Sequence, residues 1–319
     1  MRRARRVGGK EVRGMMKKAL PELKATAAKM KKSWKLYLCL LPFLSVFFVF
    51  TVLPVLRSVW YSFCYYNVLQ PAQFIGLDNY KSLLLKDDVF VKAVINTLTF
   101  AVFTGPGSYL LSLLLAWMIN DFGRTLRTVL VIIFYAPSIS GQLFVIWQLI
   151  FSGDSLGYAN DFLTNLGIID EPIQWLTDTK YMMPICIIVA LWMSLGPGFL
   201  SFVAGFQGID GSLYEAAAID GINNRYQELW YITLPAIRPQ MMFGAVMSII
   251  AAFGSATIMQ TLCGFPSTDY AAHTIVTHLF DYGSVRFDMG YACTISTILF
   301  LIMVLLNRFI QRMLRGVGN

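Results

Sequence analysis

Charge is scarce in this chain. Asp, Glu, Lys and Arg make up 14% of the 319 residues, against 56% hydrophobic. A soluble globular protein carries about a quarter charged residues, so the deficit places the chain in the membrane class. The sequence has no G-x-x-x-x-G-K-[ST] phosphate loop, which removes that device for binding ATP. The five cysteines, Cys39, Cys64, Cys186, Cys263 and Cys293, fall into no C-x-x-C or metal-like spacing. They suit small apolar packing positions, and no metal or catalytic group is expected. No repeat at a fixed period occurs, so an inverted-repeat carrier has no direct support. Few residues lie outside long apolar runs, leaving no room for a soluble enzyme domain. The first run follows more than thirty basic-rich residues and no small-residue cleavage site follows it, which predicts an anchored span.

A bilayer crossing needs roughly 20 apolar residues. Six stretches qualify, at 36–57, 93–119, 128–151, 181–207, 241–263 and 289–307. The expected fold is therefore an all-α integral membrane protein of six helices. Its domain spans 36–319, behind a basic tail at 1–35. That tail holds +11 of the formal +8, so the remainder is −3. The positive balance thus belongs to one segment, and no nucleic-acid partner is expected. Positive residues flanking spans stay cytoplasmic. This places the N-terminus inside and, after six crossings, the C-terminus inside, where Arg308, Arg312 and Arg315 agree. The acidic loop at 152–180 falls outside. Two readings of the tail stay open: an amphipathic surface helix on anionic lipid, interrupted at Pro21, or an unstructured topology-setting arm. Trp60, Tyr61, Tyr65 and Tyr66 form an expected aromatic belt at the outer interface, followed by a turn at Gly76, Asp78 and Asn79.

The apolar cores contain no ionisable side chain apart from Arg57 at the end of the first and the cysteines and tyrosines. Ion-coupled carriers hold carboxylates or histidines at membrane depth, and a charged solute needs compensating charge there. The spans instead offer Asn96, Thr97, Gln142, Trp147, Gln148, Trp192, Gln207 and Gln260. Each can serve as glue between helices at about 0.6–2 kcal/mol. Together they favour an uncharged, hydroxyl-bearing solute, and Trp147, Gln148, Trp192 and Gln260 are the candidate pathway contacts. TGPGS at 104–108 and SLGPGF at 194–199 predict kinks in spans two and four.

Between spans four and five lies SLYEAAAIDGINNRYQELWYITLPAIRP, at 212–239. Ser212 with Glu215 three residues on predicts a capping box. Ala216, Ala217 and Ala218 propagate helix with little bulk, and Gly221 permits a left-handed stop. Asn223 or Asn224 caps a second helix, which Pro235 and Pro239 end. The result is a stiff, small-residue elbow, able to admit a partner surface close to its backbone.

That segment resembles the signature of binding-protein-dependent ABC importer permeases: E-A-A, three residues, Gly, nine or more residues, then I-x-L-P. Glu215, Ala216 and Ala217 match, Asp220 and Gly221 follow in place, and Ile232-Thr233-Leu234-Pro235 closes it. AGFQGID at 204–210, the first-span PFLSVFFVFTVLPVLRSVWYSF, FIGLDNYKSLL and the INTL of span two are similar to the carbohydrate-uptake branch. Within it they resemble the maltose-type, first-permease subunit. The resemblance implies a type I importer fold with a coupling loop at about 208–240. It also implies a second, related permease, two ATPase subunits holding ATP and Mg, and an extracytoplasmic solute-binding protein. The setting would be a prokaryotic cell membrane, the cargo a sugar or oligosaccharide moved by alternating access. Glu215, Ala216, Ala217, Ala218, Asp220 and Gly221 would dock the ATPase, and the chain itself would do no catalysis. An importer of glycerol-phosphate esters or polyamines is the nearest alternative, and a non-pumping channel or scaffold the more distant one.

Overall fold

The computed structural model describes residues 34–141 and 144–315. The basic tail and Gln142 therefore lie outside the described residues. The chain falls into two compact units, Met1–Ser58 and Val59–Asn319. In the first unit α1 (Trp34–Phe47) passes through a π turn at Phe48–Val52 into α2 (Leu53–Tyr61).

The second unit opens with a small hairpin, β1 (Cys64–Tyr65) against β2 (Gln73–Phe74). Tyr61 stacks on Tyr66 at 4.7 Å and Trp60 on Phe74 at 5.9 Å, so the aromatic belt is partly paired within itself. Gly76 turns with φ +66° as expected, but Asn79 lies in helix α3 (Asp78–Leu85). Its buried amide donates to Ser62 O at 3.2 Å and Cys64 O at 2.9 Å, fastening helix to hairpin. Ser62 O also accepts from Thr294 Oγ1 at 3.0 Å, so the Asn79 amide completes a set of bonds that closes this buried corner.

Span two is α4 (Asp88–Asn120), 33 residues long, and Pro106 does not interrupt it. Thr104 and Ser108 donate to Phe100 O and Gly105 O. Back-bonding hydroxyls of this kind accommodate Gly and Pro within membrane helices. Span three divides into α5 (Arg124–Ile139) and α6 (Phe144–Ile150), where 128–151 had suggested one helix. Pro137, Ser138, Ser140 and Gly141 supply the breakers. Helix α7 (Tyr158–Asn165) follows, then span four as α8 (Thr179–Met193) and α9 (Pro197–Gln207), separated at Ser194–Gly196. The expected interruption at SLGPGF is present.

Next come α10 (Gly211–Ile219), α11 (Arg225–Glu228), a π turn at Leu229–Thr233, α12 (Leu234–Ala236) and α13 (Arg238–Gly254). Span five, expected as one run over 241–263, stops at Gly254. It resumes as α14 (Thr257–Cys263). Glycine weakens helix, and Ser255 Oγ donates back to Ala251 O. After α15 (Ile275–Phe280), α16 (Met289–Arg315) forms span six. Four helical stretches, Leu38–Tyr61, Asp88–Asn120, Thr179–Gln207 and Met289–Met313, are long and apolar enough to cross a membrane. The number reaches six when each of two bent pairs is taken as one span.

Helix α4 packs on α8, α9 and α13, placing it at the centre of the second unit. Close approach depends on small residues, as expected where lipid supplies no hydrophobic drive between helices. A Cβ at Gly244 of α13 would meet the Phe202 ring of α9 at 2.6 Å.

The 152–178 loop is organised by one side chain. Asn160 is buried and donates to Ser152 O, Asp154 O and Ile173 O at 3.0–3.1 Å. Its Oδ1 accepts from Ile173 N and Trp175 Nε1. Asn160→Ala strands several buried groups at about 1–3 kcal/mol each. The expected outcome is fast hydrogen exchange across 152–178 with α4 protection unchanged.

Candidate functional site

The elbow is built by local capping. Asp210, rather than Ser212, caps α10: its carboxylate accepts from Ser212 N at 3.0 Å. The expected Ser212–Glu215 box is absent because the helix begins two residues earlier, at Gly211, and Ser212 lies inside it. The Ser212 N–H also holds the Asp210 carboxyl below its ordinary pKa. At the other end Ile222 N donates to Ala217 O at 3.0 Å and Gly221 N to Ala218 O at 3.2 Å. With Gly221 at φ +89°, this is a Schellman stop. Asn224 caps α11 through Tyr226 N, as the sequence suggested.

Pro235 does not end the second helix. The helical run from Arg225 continues to Ala236, bends by 81° at Ile237, and enters α13 with Pro239 in its first turn. Proline is tolerated there because first-turn N–H groups lack helical partners. Tyr214 Oη and Thr233 Oγ1 are 3.0 Å apart, tying α10 to the π turn. Arg225 pairs with Asp121 and lies 4.4 Å over the Trp117 ring, tying the elbow to the end of α4. Within the docking set, Glu215, Ala216, Ala218, Asp220 and Gly221 are exposed. Ala217 is not: at 7% exposure its methyl is turned into the elbow.

A second feature lies midway along α4. The interruptions at Ser194–Gly196 and Ser255–Ala256 flank a cavity of about 420 Å³. Thr104, Ser108, Ser194, Ser255 and Thr257 line it, alongside apolar residues, and among the described residues no charged side chain does. Irregular backbone at membrane depth persists only where protein or a polar cavity surrounds it. Thr104, Ser108, Ser194 and Ser255 donate to carbonyls of their own helices. Their oxygens retain lone pairs that can accept from a solute hydroxyl. Sequence reasoning missed these residues. The only signal was small hydroxyl residues beside glycines, which hydropathy counts as ordinary span.

The four candidate pathway residues lie on α6, α8 and α14, which pack together. The Trp147 and Trp192 rings meet edge-on at 5.2 Å, and Gln148 Nε2 donates to Thr261 O beside Gln260. Trp147 Nε1 and Gln260 Nε2 are buried and find no hydrogen-bond partner among the described residues. None of the four lines the 420 Å³ cavity. Their cluster adjoins it through Met193 and Ile258, which belong to both.

The sequence also gave no sign of a polar network at the end of the bundle opposite the elbow. Asp87 Oδ1 accepts from Phe90 N at 2.9 Å and caps α4. Its Oδ2 accepts from Tyr291 Oη at 2.8 Å and His278 Nε2 at 3.0 Å. His278 Nδ1 lies 3.2 Å from His273 Nε2. Burial opposes the charge on Asp87, but the Phe90 N–H, Tyr291 hydroxyl and His278 hold its pKa below the ordinary value. Burial pushes His278 down against the pull of Asp87, and lowers His273 to about 4. Both rings are neutral at pH 7. The proton order follows: His273 Nε2–H donates to His278 Nδ1, and His278 Nε2–H to Asp87.

An elbow fused to broken spans around an uncharged cavity defines a membrane transport subunit. Residues 108–317 match the family described as binding-protein-dependent transport system inner membrane component, and the chain belongs to that family. It is therefore a multi-pass permease component of an ABC transport system, a membrane rather than a catalytic subunit. The arabinooligosaccharides transport system permease AraP of Bacillus subtilis is 30% identical, over 88% of this chain and 88% of that one. The lactose transport system permease LacF of Rhizobium radiobacter is 30% identical over 86% and 92%. Among solved structures, a chain of a bacterial ABC transporter involved in the import of the acidic polysaccharide alginate superposes with a TM-score of 0.75. Its identity is 25%, covering 91% of this chain and 98% of that one.

Proposed function

We propose that this chain forms half of the translocation pathway of an ATP-driven importer of neutral sugars or oligosaccharides, with a second related permease forming the other half. The observation that carries this reading is the cavity between two broken spans, lined by hydroxyls and free of charge. Such a wall suits a solute that exchanges water for hydroxyl contacts, whereas a phosphate ester or polyamine needs opposite charge. The elbow faces the cytoplasm, with both termini. Glu215, Ala216, Ala218, Asp220 and Gly221 present the docking face to one of two ATPase subunits, which bind ATP and Mg. Ala217 supports that face from within. An extracytoplasmic solute-binding protein delivers cargo to the opposite side, and alternating access moves it. Trp147, Gln148, Trp192 and Gln260 act as the wall beside the cavity.

The test is uptake by the whole importer in proteoliposomes, with its binding protein and labelled arabinotriose, lactose, diacetylchitobiose and glycerol 3-phosphate. ATP-dependent uptake of a neutral sugar is expected. Thr104→Leu with Ser194→Leu should lower its maximal rate by about thirty-fold, because apolar bulk replaces two hydrogen-bonding oxygens worth roughly 1 kcal/mol each. Uptake of glycerol 3-phosphate alone would reassign the cargo. Uptake indifferent to ATP would remove the importer reading. Alanine at all four of Trp147, Gln148, Trp192 and Gln260 with unchanged uptake would remove those residues from the pathway.

A further inference from the structure

One stripe of α4 connects the cavity to a second site. Lys92, Asn96, Phe100, Thr104 and Ser108 recur every four residues, so each neighbours the next along one ridge that winds slowly around α4. Thr104 and Ser108 line the mid-span cavity, while Lys92 and Asn96 line a cleft of about 300 Å³. Helical rise puts the two about 12 Å apart, from Asn96 to Thr104. Thr179, at the start of α8, closes the cleft on the same seam between α4 and α8 that carries Ala190, Met193 and Ser194 into the cavity.

The third wall is Asp269 and Tyr270, and their backbone is unusual. Both are left-handed without being glycine, at φ 49° and 57°. Consecutive strained residues persist only where their surroundings hold them, and such sites cluster at ligand clamps. Here the holder is Asn96. Its Nδ2 donates to Tyr270 O and His273 O, each at 2.9 Å. The Tyr270 ring is braced edge-on by His273 at 5.2 Å. Lys92 and Asp269 are exposed, and among the described residues neither forms an ion pair. A cation, a carboxylate, a hydroxyl and an aromatic ring therefore share one small cleft on the solute seam.

This is chemistry for a sugar ring. Hydroxyls donate to a carboxylate and accept from an ammonium, and bonds to charged groups are the stronger kind. The apolar face of a pyranose covers a tyrosine ring. Asp269 disfavours an anionic solute, as Lys92 disfavours a cationic one. We propose that the Lys92–Thr179–Asp269–Tyr270 cleft is an outer subsite that receives one neutral sugar unit before it passes along α4 to the cavity. The proposal rests on the sugar-import reading and on the elbow facing the cytoplasm.

The test uses the complete importer and whichever of lactose, arabinotriose or diacetylchitobiose the unsubstituted protein takes up. Lys92→Ala with Asp269→Asn removes both charges, and asparagine tolerates the left-handed backbone. The KM for uptake should rise about ten-fold, as loss of charged hydrogen bonds implies, with the maximal rate changed less than about two-fold. In intact cells Thr179→Cys should react with a membrane-impermeant maleimide, and saturating sugar should slow that reaction about five-fold or more. An unaltered KM, a cysteine unreactive from outside, or labelling indifferent to sugar would each overturn the subsite while sugar uptake stands. Absence of any neutral-sugar uptake by the unsubstituted importer would overturn the import reading and the subsite together.

Discussion

Gly221→Val is expected to uncouple the importer. Gly221 sits at φ +89°, and an added Cβ would meet no atom within 4 Å. The penalty is therefore conformational rather than steric, about 1–2 kcal/mol for an L side chain in the left-handed region, and more for a β-branched one. It is relieved only if the Schellman stop opens, which releases Ile222 N from Ala217 O and moves the face proposed to dock the ATPase. Co-purification of the ATPase should fall roughly ten-fold, the change that 1.4 kcal/mol supplies, while membrane insertion is unchanged. Gly221→Asn should retain most of the ATPase, since asparagine tolerates this backbone. A valine complex that assembles and hydrolyses ATP in step with transport would end the docking role. Equal loss in both variants would mean that the side chain itself, not the turn, obstructs the partner.

Asp87→Ala is expected to give the largest loss of stability. It removes the α4 cap, worth about 1 kcal/mol. It also strands Tyr291 Oη and the His278 N–H in a buried site, for a total of about 3 kcal/mol or more. The apparent Tm of the purified importer should drop markedly, and Asp87→Asn should recover part of the loss by keeping one acceptor oxygen. The same network sets a pH dependence. His273 and His278 have folded pKa values below the ordinary histidine value, His273 at about 4. Below about pH 6.5 the unfolded chain then binds protons that the folded chain refuses. Stability is full above that value and declines as pH falls toward 4. Asp87, also lowered, adds a further loss below the ordinary carboxylate range. His273→Gln should flatten the slope between pH 6.5 and 4. An unchanged slope would show that the two rings are not neutral in the folded protein.

The elbow was largely legible in the sequence because its determinants are local. A left-handed glycine, an Asx cap and a run of alanines each act within four residues of themselves. Even so the N-cap shifted from Ser212 to Asp210, since two capping residues separated by one glycine compete and periodicity cannot rank them. The spans were legible by length and hydropathy, but their interruptions were only half so. SLGPGF announced the break in span four. Gly254-Ser255 in span five did not, because neither residue lowers the window average enough to register. The Asp87–His278 bond joins residues 191 positions apart. No spacing rule reaches that far, and charged residues in loops are ordinarily solvated. The seam running from Lys92 to Ser108 was present as a four-residue recurrence. Its meaning came only when Asp269 and Tyr270 closed over one end.

The break at Ser255–Ala256 also separates two half-helices with different neighbours. Below it, α13 follows the elbow after the 81° bend and packs on α4, α9 and α16. Above it, α14 is seated against α6 and α8. Two unwound residues, Ser255 and Ala256, divide the span into two separately packed halves. Were a stroke delivered at the elbow, this division would let the lower half-helix move while the upper one kept its contacts with α6 and α8.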